Sequence, residues 1–407
     1  MAEKRSTPDA SGAPSRARRR RAKRPQSAPQ APPPAAPVEA SGLFLTTPPG
    51  LEPELAQELS ALGFSGVETG QGGVSCDGDL ADAMRANLWV RSAGQVMLRI
   101  ASFRALHPAQ LDKRARRVDW AAHLRPDVPV RIEAVCRKSK IYHAKAAQTR
   151  VADAIRDTVG APVDPDAALR VLVRIEDDLA TISIDTSGAP LHRRGTKQAV
   201  GKAPLRETMA AGFLTRMGFD GTQRVVDPMC GSGTFVLEAA ERARGLAPGR
   251  ARGFAFEDMA GFAPDRWAAL RAVAPVPLVD APPVCLGYDR DGGAVTMATA
   301  NAARAGLSEA CQFARQAVSD LARPDGPPGL VMVNPPYGAR IGDRRALFAL
   351  YGALGAVLQD RFAGWRVGLV TSDGGLARTT GLPFQDDSAP VQHGGLTVRL
   401  YQTGPLA

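Results

Sequence analysis

Cysteine is scarce in this chain. There are five in 407 residues, Cys76, Cys136, Cys230, Cys285 and Cys311, and no two form a CxxC pair. That spacing argues against a zinc site, and in a chain of this length against a disulfide framework, so the thiols are expected to be reduced in a cytoplasmic protein. His107, His123 and His143 show no metal-ligand spacing either, and no metal is expected. Long apolar runs are also missing. None approaches the ~20 residues of a membrane helix, and nothing near Met1 resembles the apolar core of a secretory signal. No self-similarity appears at solenoid periods. What remains is a hydrophobic content of 44%, ordinary for a globular protein with two or three domains and at least one sizeable core.

Charge is distributed unevenly. Of a net +10, residues 1–40 carry +6 and residues 91–150 carry +10, so the rest is net acidic. A basic segment on an acidic body points to a polyanionic partner bound through one region. Residues 1–40 are rich in Arg, Pro, Ala and Ser, include the run Arg18–Arg21, and lack aromatics. Such a segment cannot bury enough surface to fold and reads as a disordered basic arm.

Order is expected from about residue 41. Over 41–104, "GLFLTTPPGLEPELAQELSALGF", "GGVSCDG" and "DLADAMRANLWVRSAGQVMLRIASF" give a β-α-β-α-β rhythm and a small α+β domain, with Leu55, Leu59 and Leu62 on one helix face. Over 105–190, a strand Val130–Cys136 leads into the basic turn Arg137-Lys138-Ser139-Lys140 and a helix from about His143 to Val159. A hairpin with an acidic turn (Glu176, Asp177, Asp178) closes the unit. Arg131, Arg137, Lys138, Lys140 and Lys145 are the candidate nucleic-acid contacts of this region. Over 191–407 a helix entered through Pro204 is followed by short apolar strands alternating with helices. That pattern predicts a Rossmann-like, mostly parallel, doubly wound α/β sheet.

Ligands of such sheets sit at the carboxyl ends of the strands, and three strand ends here carry unusual residues. The first is "VVDPMCGSGTF", where Asp227 ends a strand and Gly231-Ser232-Gly233 turns tightly into a helix at about Thr234. It lacks the GK[ST] of a phosphate loop and the third glycine of a dinucleotide fingerprint. An acid there repels pyrophosphate and suits a cationic ligand; S-adenosylmethionine carries both a sulfonium and an α-amino group. The second is "CLGYDRDGGAV", whose Asp289 is placed to bind ribose hydroxyls, with Asp291 two residues on. It lies about sixty residues after Asp227 rather than the usual ~20, and a Pro- and Arg-rich insertion, 245–282, accounts for the gap.

The third is "LVMVNPPYGAR". Proline cannot continue a central strand, so the chain stops and presents rigid backbone. The Asn334 side-chain carbonyl and the Pro335 backbone carbonyl can accept both hydrogens of a planar amino group. Held so, the nitrogen is drawn toward tetrahedral geometry and its lone pair points at a methyl donor. Tyr337 can stack on the base bearing the amine. Guanine N2, adenine N6 and a glutamine side chain all offer such an amine; the basic segment upstream favours a nucleic-acid substrate.

"DPMCGSGT", "GYDRD" and "NPPYG", in this order, resemble the class I methyltransferases of the bacterial family that modifies 23S rRNA guanines at N2. "DTSGAPLHRRG" and "APLRETMAAGFL" resemble that family's connector. The basic strand–turn–helix is similar to a THUMP domain, preceded by a ferredoxin-like domain. The resemblance spans about 43–407. It implies S-adenosylmethionine as cofactor. Asp227, Pro228, Cys230, Gly231, Ser232 and Gly233 would lie at its methionine end and Asp289 at its ribose. Asn334, Pro335, Pro336 and Tyr337 would position the target amine. It further implies an RNA partner, ribosomal first and transfer RNA second, with oligomeric state open. One departure stands out: where the family often has an acid for the adenine amine, this chain has Ala317, with Asp320 three residues on. Asp320 or the backbone is expected to take its place. Two other readings compete, an adenine-N6 or glutamine methyltransferase and an RNA-binding protein with a vestigial catalytic domain.

Overall fold

The computed structural model describes residues 42–198, 205–337, 344–385, 389–393 and 395–407. The basic arm, Pro204 and Gly338 of the NPPYG stretch lie outside the described residues.

Two seven-stranded sheets organise the chain. The first is built from β1 (Leu43–Thr46), β2 (Glu68–Gly70), β3 (Gly73–Cys76), β4 (Gln95–Arg104), β5 (Val130–Arg137), β6 (Leu169–Glu176) and β7 (Leu179–Asp185), in the order β2-β3-β1-β4-β7-β6-β5. It is continuous across the segments read above as two α+β units, because β4 pairs antiparallel with β7. The structure has one strand more before residue 104 than the expected β-α-β-α-β rhythm. Glu68–Gly70 is exposed at all three positions, so no apolar alternation marks it. The helices Glu52–Ala61, Leu80–Trp89, Pro108–Ala115 and Ala144–Val159 send their buried residues into one core on one face of this sheet. Leu55 and Leu59 are fully buried there and Leu62 packs at its edge. The opposite face carries no helix among the described residues.

The insertion between the first two motifs joins this same core. Phe254, Phe256, Met259 and Trp267 belong to it, with Trp267 edge-on to both phenylalanines at ring separations of 5.7 and 5.0 Å. The Phe256 amide donates to the Thr186 carbonyl and the Gly249 amide to that of Leu88. A segment placed by sequence within the carboxyl-terminal domain thus completes the amino-terminal one.

The second sheet contains β8 (Val225–Asp227), β9 (Cys285–Asp289), β10 (Cys311–Arg315), β11 (Leu330–Val333), β12 (Arg366–Thr371), β13 (Val391–His393) and β14 (Leu396–Gln402), in the order β10-β9-β8-β11-β12-β14-β13. β8 to β12 run parallel, and β14 returns antiparallel on β12. Apolar clusters cover both faces, as parallel strands require. The order reverses between β8 and β11, so their carboxyl ends flank the crevice in which sheets of this type bind ligands.

Candidate active site

Strand register brings the three motifs together. Val226 pairs with Leu286 on one side, with Asp227 opposite Gly287, and with Val331 on the other. Asp289 and Asn334 therefore both lie two residues, or about 7 Å, beyond the level of Asp227. One overhangs it from each neighbouring strand.

Asp227 is buried, and its Oδ1 accepts from the Met229 amide at 3.0 Å. No cation pairs with it among the described residues. Burial, partly offset by the Met229 amide and reinforced by the Asp289 charge, pushes its pKa up to about 8. A buried carboxyl without a cation is a site prepared for a cationic ligand. The loop beside it is shaped by two left-handed glycines. Gly231 (φ 52°) is half-exposed, and a Cβ added there would meet no atom within 4 Å, so its bare side faces open space. Gly233 (φ 88°) opens the helix Thr234–Ala243, and a Cβ there would press Ala298 and Phe313 at 3.2 Å. The first glycine keeps room for a ligand; the second permits close packing.

Asp289 organises this loop. Its Oδ2 accepts from the Gly231 amide and its Oδ1 from the Asp291 amide, both at 3.0 Å, leaving further lone pairs for hydroxyl groups. Asp291 caps the helix Gly292–Ala305 through the Gly293 amide at 2.8 Å. Pro228 and Cys230 are buried behind the loop. The Cys230 amide donates to the Tyr288 carbonyl, and burial pushes its thiol far up, so Cys230 shapes the floor as a neutral group. Ser232 is buried, and its carbonyl accepts from Asn301 Nδ2 at 3.1 Å. Lys197 was missed by sequence reading. It is buried between Glu207 (2.8 Å) and the Thr234 hydroxyl (2.7 Å), where it anchors the first turn of the glycine-loop helix. Nothing in its sequence context separates it from a surface lysine.

At the end of β11, Asn334 Oδ1 is buried without a hydrogen-bond partner among the described residues. Such an acceptor demands a donor. The Pro336 carbonyl is held by the Tyr351 hydroxyl at 3.3 Å, and that hydroxyl also reaches the Thr371 hydroxyl at 3.3 Å. Tyr351 is fully buried on the helix Arg344–Arg361, and burial raises its pKa to about 12. It braces the two prolines as a neutral phenol, a role only the folded chain reveals. Tyr337 is half-buried against the clusters on both faces of the sheet, and burial raises its pKa.

The remaining candidates lie farther out. Asp320 is exposed at the end of the short turn Val318–Asp320, and its carboxylate accepts from Ser319 at 3.1 Å. Beside it the Gln316 amide donates to the Asp289 carbonyl. Arg137, Lys138, Lys140 and Lys145 are exposed. Their turn is tied to the acidic hairpin: the Lys140 amide donates to Asp178 Oδ1 at 2.7 Å and the Asp178 amide to Ser139 Oγ at 3.0 Å. Arg131 is engaged within the protein by Glu133 and the Ala167 carbonyl.

A parallel sheet with strand order reversed at β8 and β11, an antiparallel β14, and an acid–glycine loop facing an NPPY strand end define a Rossmann-like methyltransferase domain. Family comparison agrees: the RMKL-like methyltransferase domain matches residues 194–396, the RlmL ferredoxin-like domain 42–97 and the THUMP domain 108–185. The chain belongs to the RMKL-like methyltransferase family. It is 38% identical over 357 residues to the ribosomal RNA large subunit methyltransferase K/L of Methylococcus capsulatus, a match covering 83% of this chain and 48% of that protein. The chain spans about half the length of the curated relatives it matches. Among solved structures, a predicted N6-adenine-specific DNA methylase from Listeria monocytogenes is 30% identical with a TM-score of 0.80, covering 90% of this chain and 96% of that one. SMU.472, solved with SAH, is 27% identical with a TM-score of 0.81, covering 90% and 98%.

Proposed function

We propose that this chain transfers a methyl group from S-adenosylmethionine to the exocyclic N2 amine of a guanine in large-subunit ribosomal RNA, in the bacterial cytoplasm. The carrying observation is the buried Asn334 Oδ1, without a partner among the described residues, beside the Asp227 crevice. An amine hydrogen satisfies it, and the Pro335 carbonyl is the natural second acceptor. With Pro336 fixed by Tyr351, the two acceptors are pre-set, and alignment replaces a strong base as the source of rate. The residues also suit the cofactor. Asp227 offers a carboxylate to its ammonium, the open side of Gly231 leaves room for its chain, and Asp289 has lone pairs left for ribose hydroxyls. Bound there, the cofactor supplies an electrophilic methyl group on a sulfonium centre. Asp320 and the backbone near Ala317 are the proposed neighbours of adenine, and Arg137, Lys138, Lys140 and Lys145 the proposed RNA contacts.

The relatives named for ribosomal RNA and the THUMP match favour RNA over the DNA named for the Listeria neighbour. Asn334→Ala should lower the single-turnover methyl-transfer rate by roughly 10²–10³ while cofactor and RNA binding persist. Turnover within about twofold of the parent at saturating RNA and cofactor would remove the amine-positioning reading. Nucleoside mass spectrometry of RNA from cells with and without the gene should show loss of N2-methylguanosine. Loss of N6-methyladenosine instead would move the assignment to adenine.

A further inference from the structure

The helix-free face of the first sheet is a groove of 910 Å³ that runs from the β2–β3 turn, at Gly70–Gly72, to the end of β5 at Arg137. Five arginines and two carboxylates line it. Two of the arginines are neutralised locally: Arg170 by Glu133 and Asp185, and Arg174 by Glu176. Arg99, Arg104 and Arg137 form no ion pair among the described residues, though Arg137 lies opposite Glu176 in the strand register and helps Arg174 hold that carboxyl below its usual range. Arg99 is half-buried at the centre, its guanidinium 4.9 Å from the Phe44 ring centroid and bonded to Ser75 Oγ at 3.0 Å. Burial and the neighbouring Arg174 pull its pKa down. A cation desolvated without an anion is costly.

Backbone geometry puts these groups on one face. Residues 95, 97 and 99 of β4 face the groove. Strict alternation would send Arg104 to the helix side. A β-bulge between Arg99 and Ala101 inserts one residue, so Ile100 and Ala101 both enter the core and Arg104 returns to the groove. Between the cations, the half-buried Phe44 and Leu172 offer apolar surface, and the buried Met97 completes the lining.

We propose that this sheet face binds single-stranded RNA, its phosphates on Arg99, Arg104 and Arg137 and its bases on Phe44 and Leu172. This is a site apart from the Lys138–Lys145 turn and helix, and it rests on the RNA reading above. Unpaired bases are the chemistry that fits: a floor that stacks needs exposed base faces, which a duplex withholds.

The test uses the full chain and a fluorescein-labelled decamer of uridine. Replacing Arg99 and Arg104 together by Gln should weaken binding at least tenfold and shrink the salt slope by about 1.4, at about 0.7 per phosphate contact. Arg104→Gln alone sits at a strand end and serves if the pair fails to fold; it should cost about threefold and about 0.7 in slope. Cross-linking with 4-thiouridine should label the Phe44 and Leu172 peptides. A hairpin of matched length should compete at least tenfold more weakly. Unchanged slopes, or cross-links confined to the Lys138–Lys145 segment, would overturn the groove while leaving the RNA reading intact. Equal competition by the hairpin would overturn the single-strand assignment. If the parent chain binds neither the decamer nor a ribosomal RNA fragment, the RNA reading falls and the groove falls with it.

Discussion

Asp227 carries the most charge-sensitive chemistry in the molecule. With its pKa at about 8, well above that of an unfolded aspartate, it is mostly neutral near pH 7 when no ligand is bound. A cationic ligand needs the ionised form. Cofactor affinity should therefore rise about tenfold from pH 7 to pH 9 and level off above the pKa. Asp227→Asn should bind weakly and without this slope, and calorimetry across that range reads both. The stability sign is opposite. A raised folded pKa contributes stability that is complete below the unfolded value near 4 and lost as pH climbs through about 8. The ligand-free parent should lose melting temperature from pH 6 to 9 relative to Asp227→Asn. Parallel pH curves for the two would remove the buried-carboxyl argument. Tyr351→Phe is the companion test on the other strand end. It deletes the bond to the Pro336 carbonyl, costs about 1 kcal/mol of stability, and should slow single-turnover transfer about tenfold with cofactor affinity unchanged. An unaltered rate would make Tyr351 a packing residue only.

At the level of elements, the glycine loop separates binding from folding. Gly231→Ala meets no atom but fills the open side of the loop. It should weaken cofactor binding at least tenfold and cost only the ~1–2 kcal/mol of a left-handed non-glycine residue. Gly233→Ala adds contacts at 3.2 Å with Ala298 and Phe313 to the same strain, so its melting temperature should drop further. Thermal unfolding alongside cofactor titration distinguishes them, and a reversed order would contradict the loop geometry. The basic turn is likewise an element held by another. Replacing Arg137, Lys138 and Lys140 together by Glu should flatten the salt dependence of RNA binding by about 2, at about 0.7 per contact. The three strand-end motifs were legible because each combines an apolar run with residues that stop it. β2 was not legible, since an exposed Glu-Thr-Gly strand at a sheet margin has no buried face to mark.

Across the whole molecule, buried charge fastens the amino-terminal module to the glycine-loop helix. Glu238 on that helix pairs with Arg194 of the connector at 2.9 Å and with Arg91 of the module at 3.5 Å, while Glu241 one turn on reaches Arg91 at 3.6 Å and also pairs with Arg250. Removing one partner strands the others in a low dielectric. Glu238→Gln should therefore cost about 3–5 kcal/mol, seen as a lower melting temperature in calorimetry. A loss within the noise would mean that water reaches these charges.

The sequence alone determined the alternation of apolar strands with helices in the catalytic half, the three strand-end motifs and the family they resemble. These are local signals: a buried strand is apolar wherever it ends up, and a proline or glycine limits its own backbone. Only the tertiary structure decided which charges are free. Of the basic segment 91–150, Arg91 is buried in an ion-pair network, Arg116 and Arg125 pair with aspartates, and Arg99 and Arg104 line the groove. A count of charges cannot tell these apart, because pairing depends on residues distant in sequence. The same holds for the insertion, whose Phe254, Phe256 and Trp267 complete a core begun two hundred residues earlier, and for the bulge that turns Arg104 outward. Burial and register are properties of neighbours, and the neighbours are chosen by the fold.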